Sequence, residues 1–526
     1  MTLEHFIAKH TLQIQPLEIA CHLAWWNLAT TGDDKFAKEF QETNIALRKI
    51  YSSKQDYQLL LSYPKNLDPL VNRQHILLLH SYKENQLSAE MIEQIVKLET
   101  EIETTYTNYR PVLNGLTLSN NDVKKILVES TDSKEREDVW KASKKIGEQV
   151  ETQVKKLISL RNEAARKAGF TDFYSMRMEL QELDQTRVFQ ILQQLDELTA
   201  PHWQKYKSNL DKMLAKQNGI STDDLRPWHY HDPFFQEAPS GELQLDSYYA
   251  GKDLVEINKS FYKKIGLAIE DVLARSDLFE RDKKSQHAFC TCIDRKQDVR
   301  TLCNMRDNEY WMGTLLHELG HAVYDKYIDQ DLPYFLRGPA HTSTTEAIAM
   351  LFGRLSKNGE FLHLYCDIDA KTAKQIDILA KQQIASNLLV FARWVLIMTH
   401  FEQAMYQQPD IDLNSFWWDC VEKYQWVNRI SDRNKPDWAS KLHLACAPVY
   451  YQNYILGEMT ASQLLHHLQT FLKTENEKFL TSSQTGEWLK NSLFSQGAKL
   501  PWEQTLEYAT GEHLNPKYFA NDLSIA

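Results

Sequence analysis

The sequence has few of the residues that interrupt regular structure. Its 526 residues include only 17 glycines and 15 prolines, and a fold of many short strands joined by tight turns would need more of both. This scarcity argues against an all-β fold and favours long helices. We therefore predict a mainly α protein.

Long apolar runs are also absent. No stretch approaches the roughly 18 uninterrupted apolar residues of a membrane span. The N-terminal segment is interrupted by Glu4, His5, Lys9, His10 and Glu18 before an apolar run reaches signal-peptide length. These features predict neither a membrane partner nor export, and an odd count of seven cysteines then favours reduced thiols in the cytoplasm.

A basic surface is missing as well. The chain carries 60 Lys and Arg against 71 Asp and Glu, a net charge of -11, and the positive charges form no stripe that would follow a phosphate backbone. Nucleic acid is therefore not expected as a partner.

What the sequence has in abundance is helical periodicity. Apolar residues recur at spacings of three and four among charged ones. The segments that show this pattern in the first half are Lys35 to Leu61, Leu87 to Asn108, Asp122 to Ala168 and Thr186 to Gln217. No internal repeat or obvious linker interrupts the chain, and residues 1–526 are predicted to form a single domain of two lobes.

Two irregular segments interrupt the helices. The Pro- and Asp-rich stretch from Asn218 to Leu245 predicts a structured loop, and its His229 and His231 lack a third ligand at a recognisable spacing. The later stretch HAFCTCIDRKQDVRTLCNM, from His287 to Met305, predicts a β-hairpin that turns near Arg295 to Asp298. Its Cys290-Thr291-Cys292 pair has no partner pair at zinc-finger spacing.

The hairpin is followed directly by the motif HELGH. On a helix, His317 and His321 lie one turn apart on the same face and can bind one metal ion. The Pro- and Gly-containing connection to the next helix could bring Glu346 back as a third ligand. A structural alternative exists, because Ser343 and Glu346 have capping-box spacing, so that Glu346 could merely cap a helix.

Three protein ligands would leave one position open for water at a zinc ion. Glu318 would then lie beside that position and act as general base towards the water and as acid towards the leaving amine. Donors for an oxyanion are available in a later cluster, although tyrosines in such clusters more often serve packing. That cluster consists of Lys441, His443, Tyr450, Tyr451 and Tyr454.

These residues resemble those of a known family. HELGHAVYDKYIDQDLPYFLRGPAHTSTTEA is similar to the catalytic segment of the angiotensin-converting-enzyme family of zinc peptidases, and the resemblance continues through AWWN (24–27), His287-Ala288, WWDCVEKYQ (417–425) and Lys441-x-His443. Thimet and F-type oligopeptidases, a neighbouring family, resemble the chain in the HExxH helix, the distal glutamate and the His/Tyr cluster. The resemblance implies two helical lobes around a deep, narrow cleft, one Zn²⁺ per chain bound by His317, His321 and Glu346, and short peptides as substrates.

The resemblance also implies roles for the surrounding residues. His443 and Tyr454 correspond to oxyanion donors, and Lys441 and Tyr451 to groups that bind the substrate's C-terminal carboxylate. The strand predicted to begin at His287 and Ala288 would pair with the peptide backbone, with His287 facing the substrate.

Some positions depart from the family pattern around the substrate's C-terminus. The spacing from His443 to Tyr451 is one residue longer than in the family, so Tyr450 is an alternative to Tyr451. The family's carboxylate-binding glutamine has no clear counterpart, and Tyr230 is the nearest position. The number of residues removed per cleavage is therefore open.

Further departures concern the metal and chloride. Met350 stands where the family has an aspartate that orients a zinc histidine, so another partner is needed. Asn453 and Val421 stand at chloride-binding arginine positions of the animal enzymes, which predicts activity without chloride.

The leading hypothesis is a monomeric, cytoplasmic zinc metallopeptidase that releases C-terminal dipeptides. A carboxypeptidase or general oligopeptidase with the same fold is the first alternative. A non-catalytic peptide-binding protein is the second, although such a protein would have no need of Glu318.

Overall fold

A computed structural model describes residues 1–239, 243–408, 410–473 and 477–524. Within these ranges the protein is mainly α, as predicted, with 22 α-helices and two two-stranded antiparallel sheets. The helices are α1 (Leu3–Thr31), α2 (Asp34–Tyr51), α3 (Lys54–Ser62), α4 (Pro69–Glu84), α5 (Ala89–Asn108), α6 (Asn120–Glu129), α7 (Ser133–Lys167), α8 (Phe173–Leu180), α9 (Gln185–Asn218), α10 (Asp246–Tyr249), α11 (Leu254–Lys264), α12 (Glu270–Arg275), α13 (Glu309–Lys326), α14 (Thr342–Gly353), α15 (Gly359–Tyr365), α16 (Ala370–Gln407), α17 (Leu413–Gln425), α18 (His443–Cys446), α19 (Tyr451–Phe471), α20 (Ser483–Ser492), α21 (Trp502–Thr510) and α22 (Lys517–Asp522). The strands are β1 (Val112–Leu113), β2 (Leu116–Thr117), β3 (Phe289–Cys292) and β4 (Val299–Leu302).

Two of the predicted long helices are each divided in two. The segment from Lys35 to Leu61 breaks between α2 and α3, where the Ser53 side chain accepts the Asp56 N–H and caps α3. The segment from Asp122 to Ala168 breaks before α7, which Asp132 caps in the same way. Apolar periodicity continues through both breaks, so only the capping side chains mark them.

The small β1–β2 hairpin was not predicted. Its turn is Asn114-Gly115, and both residues have positive φ, 50° and 81°. Asn-Gly is the preferred pair for a two-residue hairpin turn because both positions tolerate the left-handed conformation. The signal was present in the sequence.

The hairpin β3–β4 is confirmed, but its first strand begins later than predicted. β3 starts at Phe289, paired with Leu302, whereas His287 is exposed in a bend and Ala288 precedes the strand. The turn is held by Asp294, whose Oδ1 accepts the backbone N–H groups of Lys296 and Asp298. Among the described residues, β3 has a strand neighbour on one side only.

The predicted loop from Asn218 to Leu245 is irregular over its described part, apart from two short 3₁₀ turns at Thr222–Asp224 and Pro227–His229. Residues 240–242 of this prediction lie outside the described residues.

The chain divides into two compact units. Unit 1 comprises Met1–Gln86, Leu243–Lys381 and Leu456–Phe519, and unit 2 comprises Leu87–Glu242, Gln382–Ile455 and Ala520–Ala526. Unit 1 contains the β3–β4 hairpin and helices α13 and α14, while unit 2 contains α7, α9 and the segment around Lys441. The single domain with a central cleft stays a prediction.

One helix of the described residues is long and apolar enough to cross a membrane. It is α16, whose most apolar 18-residue window has a mean hydropathy of 1.5. Of that window, 72% is buried inside the protein, and the core helix of a soluble protein has the same composition.

Candidate functional site

Helix α13 presents the two histidines of HELGH because its other side is buried. Leu315, Leu316 and Leu319 are fully buried, so burial of this apolar side fixes the rotation of the helix about its axis. Its start is set by Asn308, whose side chain accepts the Trp311 N–H. His317 and His321 therefore lie together on the remaining face, with ring centroids 4.9 Å apart.

A close approach between α13 and α14 brings Glu346 to the histidines. Gly320 packs directly on α14, and a Cβ there would lie 2.7 Å from the Ala349 Cα and 3.1 Å from the Ile348 carbonyl oxygen. Only glycine allows this contact. Since Ala349 is one turn from Glu346, the contact sets the position of that carboxylate.

The three side chains converge on one point. Glu346 Oε2 lies 3.7 Å from His317 Nε2 and 4.0 Å from His321 Nε2, and the candidate donor atoms all lie within 4.8 Å of one another. Tetrahedral ligands about 2.0–2.1 Å from zinc are about 3.3 Å apart. Small side-chain rotations bring the three donors to that spacing, and two imidazoles with a carboxylate are a donor set that zinc uses.

The capping-box alternative for Glu346 is wrong. The N-cap of α14 is His341, whose Nδ1 accepts the Ser343 N–H at 3.0 Å. Thr344, not Glu346, completes this capping box. Glu346 lies further into the helix, and its carboxylate is directed to the histidines instead.

The partner of a ligand histidine that the sequence left open is Thr345. His321 Nδ1 lies 2.8 Å from Thr345 Oγ1. An Nδ1–H that donates to this hydroxyl leaves the Nε2 lone pair for a metal ion and fixes the ring orientation. Thr345 thus supplies what Met350, at the family's aspartate position, cannot.

The electrostatics of the group suit a cation. Burial lowers the pKa of His317 to about 4 and, with the neighbouring His317, that of His321 to about 3, so both rings are neutral. Burial and the nearby Glu346 raise the pKa of Glu318 to about 8, against a lowering hydrogen bond from the Cys290 backbone. Burial also raises the pKa of Glu346. A divalent cation would favour the charged carboxylates.

Glu318 is a buried carboxyl beside the three candidate metal ligands. It is only 8% exposed, on the same helix turn as the two histidines, and β3 passes beside its carboxyl. The arrangement combines three candidate metal ligands with one buried carboxyl that is not among them.

Replacing Gly320 by alanine should separate α13 from α14. The new Cβ meets backbone atoms, which cannot rotate away, so we expect a loss of roughly 1–3 kcal/mol in the free energy of unfolding and weaker metal binding. Thermal melting and metal titration of the variant measure both effects.

The matched control is Gly313→Ala on the same helix. There the nearest atom to a Cβ is the Ser356 hydroxyl at 3.0 Å, which can rotate, and alanine favours the helix by roughly 1 kcal/mol. Equal metal affinity in the Gly320 and Gly313 variants would contradict the role of the close contact.

The predicted later cluster is brought together in unit 2. The ring of Tyr451 lies 4.9 Å from His443 and 5.7 Å from Tyr454, and Tyr450 lies 5.1 Å from Tyr454. The Lys441 Nζ lies 5.7 Å from the Tyr451 ring. Burial lowers the pKa of His443 to about 4 and raises that of Tyr451. The cluster therefore presents hydroxyl donors around a neutral imidazole.

The glutamine beside Lys441 is Gln236, which sequence reasoning missed. Gln236 Oε1 accepts from Lys441 Nζ at 2.7 Å. Tyr230, the nearest position by resemblance, is instead fully buried in another network, where its hydroxyl donates to Asp211 and accepts from Lys207. Gln236 lies in an irregular loop without periodicity, so no sequence pattern marks it.

A strained turn holds the start of the tyrosine segment. Val449 has φ 55°, which is costly for a β-branched residue. Its N–H donates to the buried Glu402 carboxylate at 2.8 Å, and its carbonyl accepts from Gln181 and Gln452. Burial raises the pKa of Glu402 to about 8. These contacts fix the backbone just before Tyr450 and the start of α19 at Tyr451.

Two known protein families are similar to this chain in sequence. The model of peptidase family M3 matches residues 126–525, which is most of the chain and includes both the HELGH helix and the tyrosine cluster. The chain belongs to peptidase family M3.

A second match links this M3 peptidase family member to the other predicted relative. The family model described as angiotensin-converting enzyme matches residues 1–230. The predicted relationship to both families is therefore confirmed, with the M3 model covering the part that contains the candidate site.

A curated relative is similar over part of its length. The chain is 21% identical over 401 residues to the inactive angiotensin-converting enzyme-related protein of Caenorhabditis elegans, which covers 68% of this chain and 44% of that protein. The M3 chain thus spans less than half the length of this relative.

Two other pairs of residues, of types that can bind metal in general, do not belong to the candidate metal site. His229 Nδ1 accepts the Arg226 N–H and its Nε2 contacts Ser133 Oγ, as in ordinary loop chemistry. Among the described residues, neither this histidine nor Cys290 and Cys292 belongs to a metal-binding group, and the one such group is His317, His321 and Glu346. All seven cysteines of the M3 chain are free thiols.

Proposed function

We propose that this member of peptidase family M3 is a zinc-dependent metallopeptidase of short peptides. The observation that carries the proposal is the convergence of His317, His321 and Glu346, within 4.8 Å of one another, next to the buried Glu318. A protein that only binds peptides has no need of this carboxyl.

A zinc ion held by these three residues would polarise the scissile carbonyl and lower the pKa of a water molecule. Glu318 would hold the proton taken from the attacking water and pass it to the leaving amine. The family resemblance implies that His443 and Tyr454 would donate hydrogen bonds to the oxyanion.

In this proposal, different parts of the protein bind the backbone and the C-terminus of the peptide substrate. The unpaired side of β3, with Ala288 and His287 before it, binds the peptide backbone by β-augmentation. Lys441, Tyr451 and Gln236 bind the C-terminal carboxylate, and Tyr450 is the alternative to Tyr451. Such binding of the terminus favours release of C-terminal dipeptides over internal cleavage. The protein acts as a cytoplasmic monomer with one zinc per chain.

Removal of metal should abolish cleavage. We expect the purified protein to contain one zinc per chain, to lose cleavage of a short fluorogenic peptide with 1,10-phenanthroline, and to regain it when stoichiometric zinc is added. The non-chelating isomer 1,7-phenanthroline is the control, and circular dichroism verifies that the protein stays folded. Undiminished cleavage by metal-free protein would overturn the proposal.

The products of one unblocked peptide define the cleavage mode. Mass spectrometry should find a C-terminal dipeptide first, and amidation of the same peptide should slow its release. Single residues would indicate a carboxypeptidase, and internal fragments a general oligopeptidase.

The second candidate function is peptide binding without catalysis. The name of the Caenorhabditis elegans relative includes the word inactive, which makes this alternative worth testing directly. Absence of cleavage by protein loaded with zinc, together with measurable peptide binding, would favour it.

A further inference from the structure

Unit 2 contains a cavity with two lysines on its wall. It has a volume of about 610 Å³ and is lined by parts of α7, of the loop before residue 237 and of the segment 440–443. Lys144 and Lys441 both line it, together with Phe234 and Gln236. Positive charge collects here although the chain as a whole has a net charge of -11.

Lys144 is the less expected of the two. It is only 3% exposed, and its Nζ lies 3.1 Å from the centroid of the Phe234 ring and 5.3 Å from that of Trp140. No carboxylate of the described residues lies within ion-pair distance of it. Burial lowers its pKa to about 7, since a buried charge without a counterion is unfavourable.

The carboxylates nearest to Lys144 are committed to other donors. Asp437 accepts two hydrogen bonds from Arg433. Asp232 accepts the backbone N–H groups of Phe234 and Gln236 and so holds the loop. Both favour the charged lysine at a distance, but neither pairs with it.

Other charged groups at the cavity do not cancel the two lysines. Lys124 pairs with Glu237 at 2.8 Å, and Arg110 donates only to backbone carbonyls of Thr107 and Tyr109. Asp232 is thus the one carboxylate among the described lining residues. The cavity keeps an excess of positive charge.

Lys441 contacts the same aromatic ring as Lys144. Its Nζ lies 5.3 Å from the Phe234 centroid and 5.3 Å from that of Trp394, and it donates to Gln236. Burial lowers its pKa to about 8. Two protonated lysines beside one ring repel each other, so an anion that contacts both would stabilise their protonated forms.

We propose that Lys144 is a specificity-determining residue, which makes the cavity bind a peptide C-terminal residue with a second carboxylate, aspartate or glutamate. This inference rests on the proposed function for the role of Lys441 and Gln236, which bind the terminal carboxylate. Lys144 binds the side-chain carboxylate, and the Phe234 ring lies beside both ammonium groups. The two carboxylates of such a residue are joined by a short carbon chain, and the two lysines both lie beside the Phe234 ring.

The test compares peptides that differ only in the second charge. The kcat/KM values of wild type are measured for two peptides of identical sequence that end in Glu or in Gln. We expect wild type to prefer the Glu peptide by roughly 10-fold or more, as a charge-assisted hydrogen bond provides. Lys144→Met should remove this preference and leave the ratio near one.

Lys144→Met also has a folding readout. Methionine matches the length of the lysine chain without burying a charge, so we expect the variant to melt at a higher temperature than wild type. The control is Lys156→Met, an exposed position on the same helix, which should keep both the preference and the melting temperature. An equal Glu-to-Gln ratio in wild type and Lys144→Met would overturn the inference.

Failure of the proposed function is recognised separately. If wild type loaded with zinc cleaves neither peptide, calorimetry of the same two peptides still tests the cavity. Tighter binding of the Glu peptide by wild type but not by Lys144→Met would support the inference without catalysis. Equal affinities in both proteins would refute it.

Discussion

Glu318→Gln should keep its zinc and cleave peptides roughly 100- to 10,000-fold more slowly than wild type, the range that a general acid–base contributes. Glutamine has nearly the same shape, so the packing of the buried side chain is preserved. It cannot take up a proton from water or return one to the leaving amine. The loss should therefore appear in kcat, with zinc content unchanged by metal analysis.

A matched variant separates this effect from a general one on the helix. Glu309→Gln makes the same change in the first turn of α13, where the carboxylate accepts from Ser356 Oγ and an amide oxygen can do the same. It should cleave at the wild-type rate. Wild-type turnover by Glu318→Gln would remove the basis of the mechanism, and loss of its zinc would assign Glu318 to the ligands instead.

The histidine pair of the candidate metal site could be predicted because helical geometry is local. A spacing of four on any helix puts His317 and His321 on one face, and the buried leucines on the opposite side follow from the same period. That a carboxylate could return as the third ligand was predictable from the Pro- and Gly-containing connection to α14. Its actual position depends on which backbone approaches Gly320, and only the structure identifies that backbone as α14.

Contacts that depend on how separate segments pack in space could not be predicted. Gln236 lies in a loop whose shape depends on hydrogen bonds from backbone N–H groups to Asp232. Thr345 contacts His321 because helices α13 and α14 pack against each other. The family resemblance indicated Tyr230 as the nearest position to the carboxylate-binding glutamine, because a resemblance compares positions along the sequence. Distances in space depend on how the loop bends between them.

Boundaries were the other source of error. Apolar periodicity runs through the breaks before α3 and α7, while the strand β3 begins at Phe289 and not at His287. In each case one side-chain or backbone hydrogen bond decides the end of the element, and it costs or contributes only about 1 kcal/mol. Hydrogen-bond energies of this size do not alter the apolar periodicity, which is averaged over many residues.

Glu346→Gln should lose zinc, and with it all peptide cleavage. A neutral amide oxygen is a poor replacement for a carboxylate at zinc, and losing a ligand should weaken metal binding by more than the ~100-fold upper range seen for groups that only orient ligands. The Glu346 carboxylate lies 3.7 Å from His317 Nε2 and 4.0 Å from His321 Nε2, so its loss would leave the candidate site with two ligands. Metal analysis after dialysis and competition with a zinc indicator measure the change.

The stability of the same variant distinguishes a ligand from a capping residue. The N-cap of α14 is His341 and not Glu346. The free energies of unfolding of metal-free Glu346→Gln and metal-free wild type should therefore differ by less than about 0.5 kcal/mol. Added zinc should then stabilise only wild type, because only it binds the ion tightly in the folded state. Glu360→Gln, the same change at an exposed position of unit 1, should respond to zinc as wild type does. Full zinc binding by Glu346→Gln would require another third ligand and would remove the geometric basis of the site.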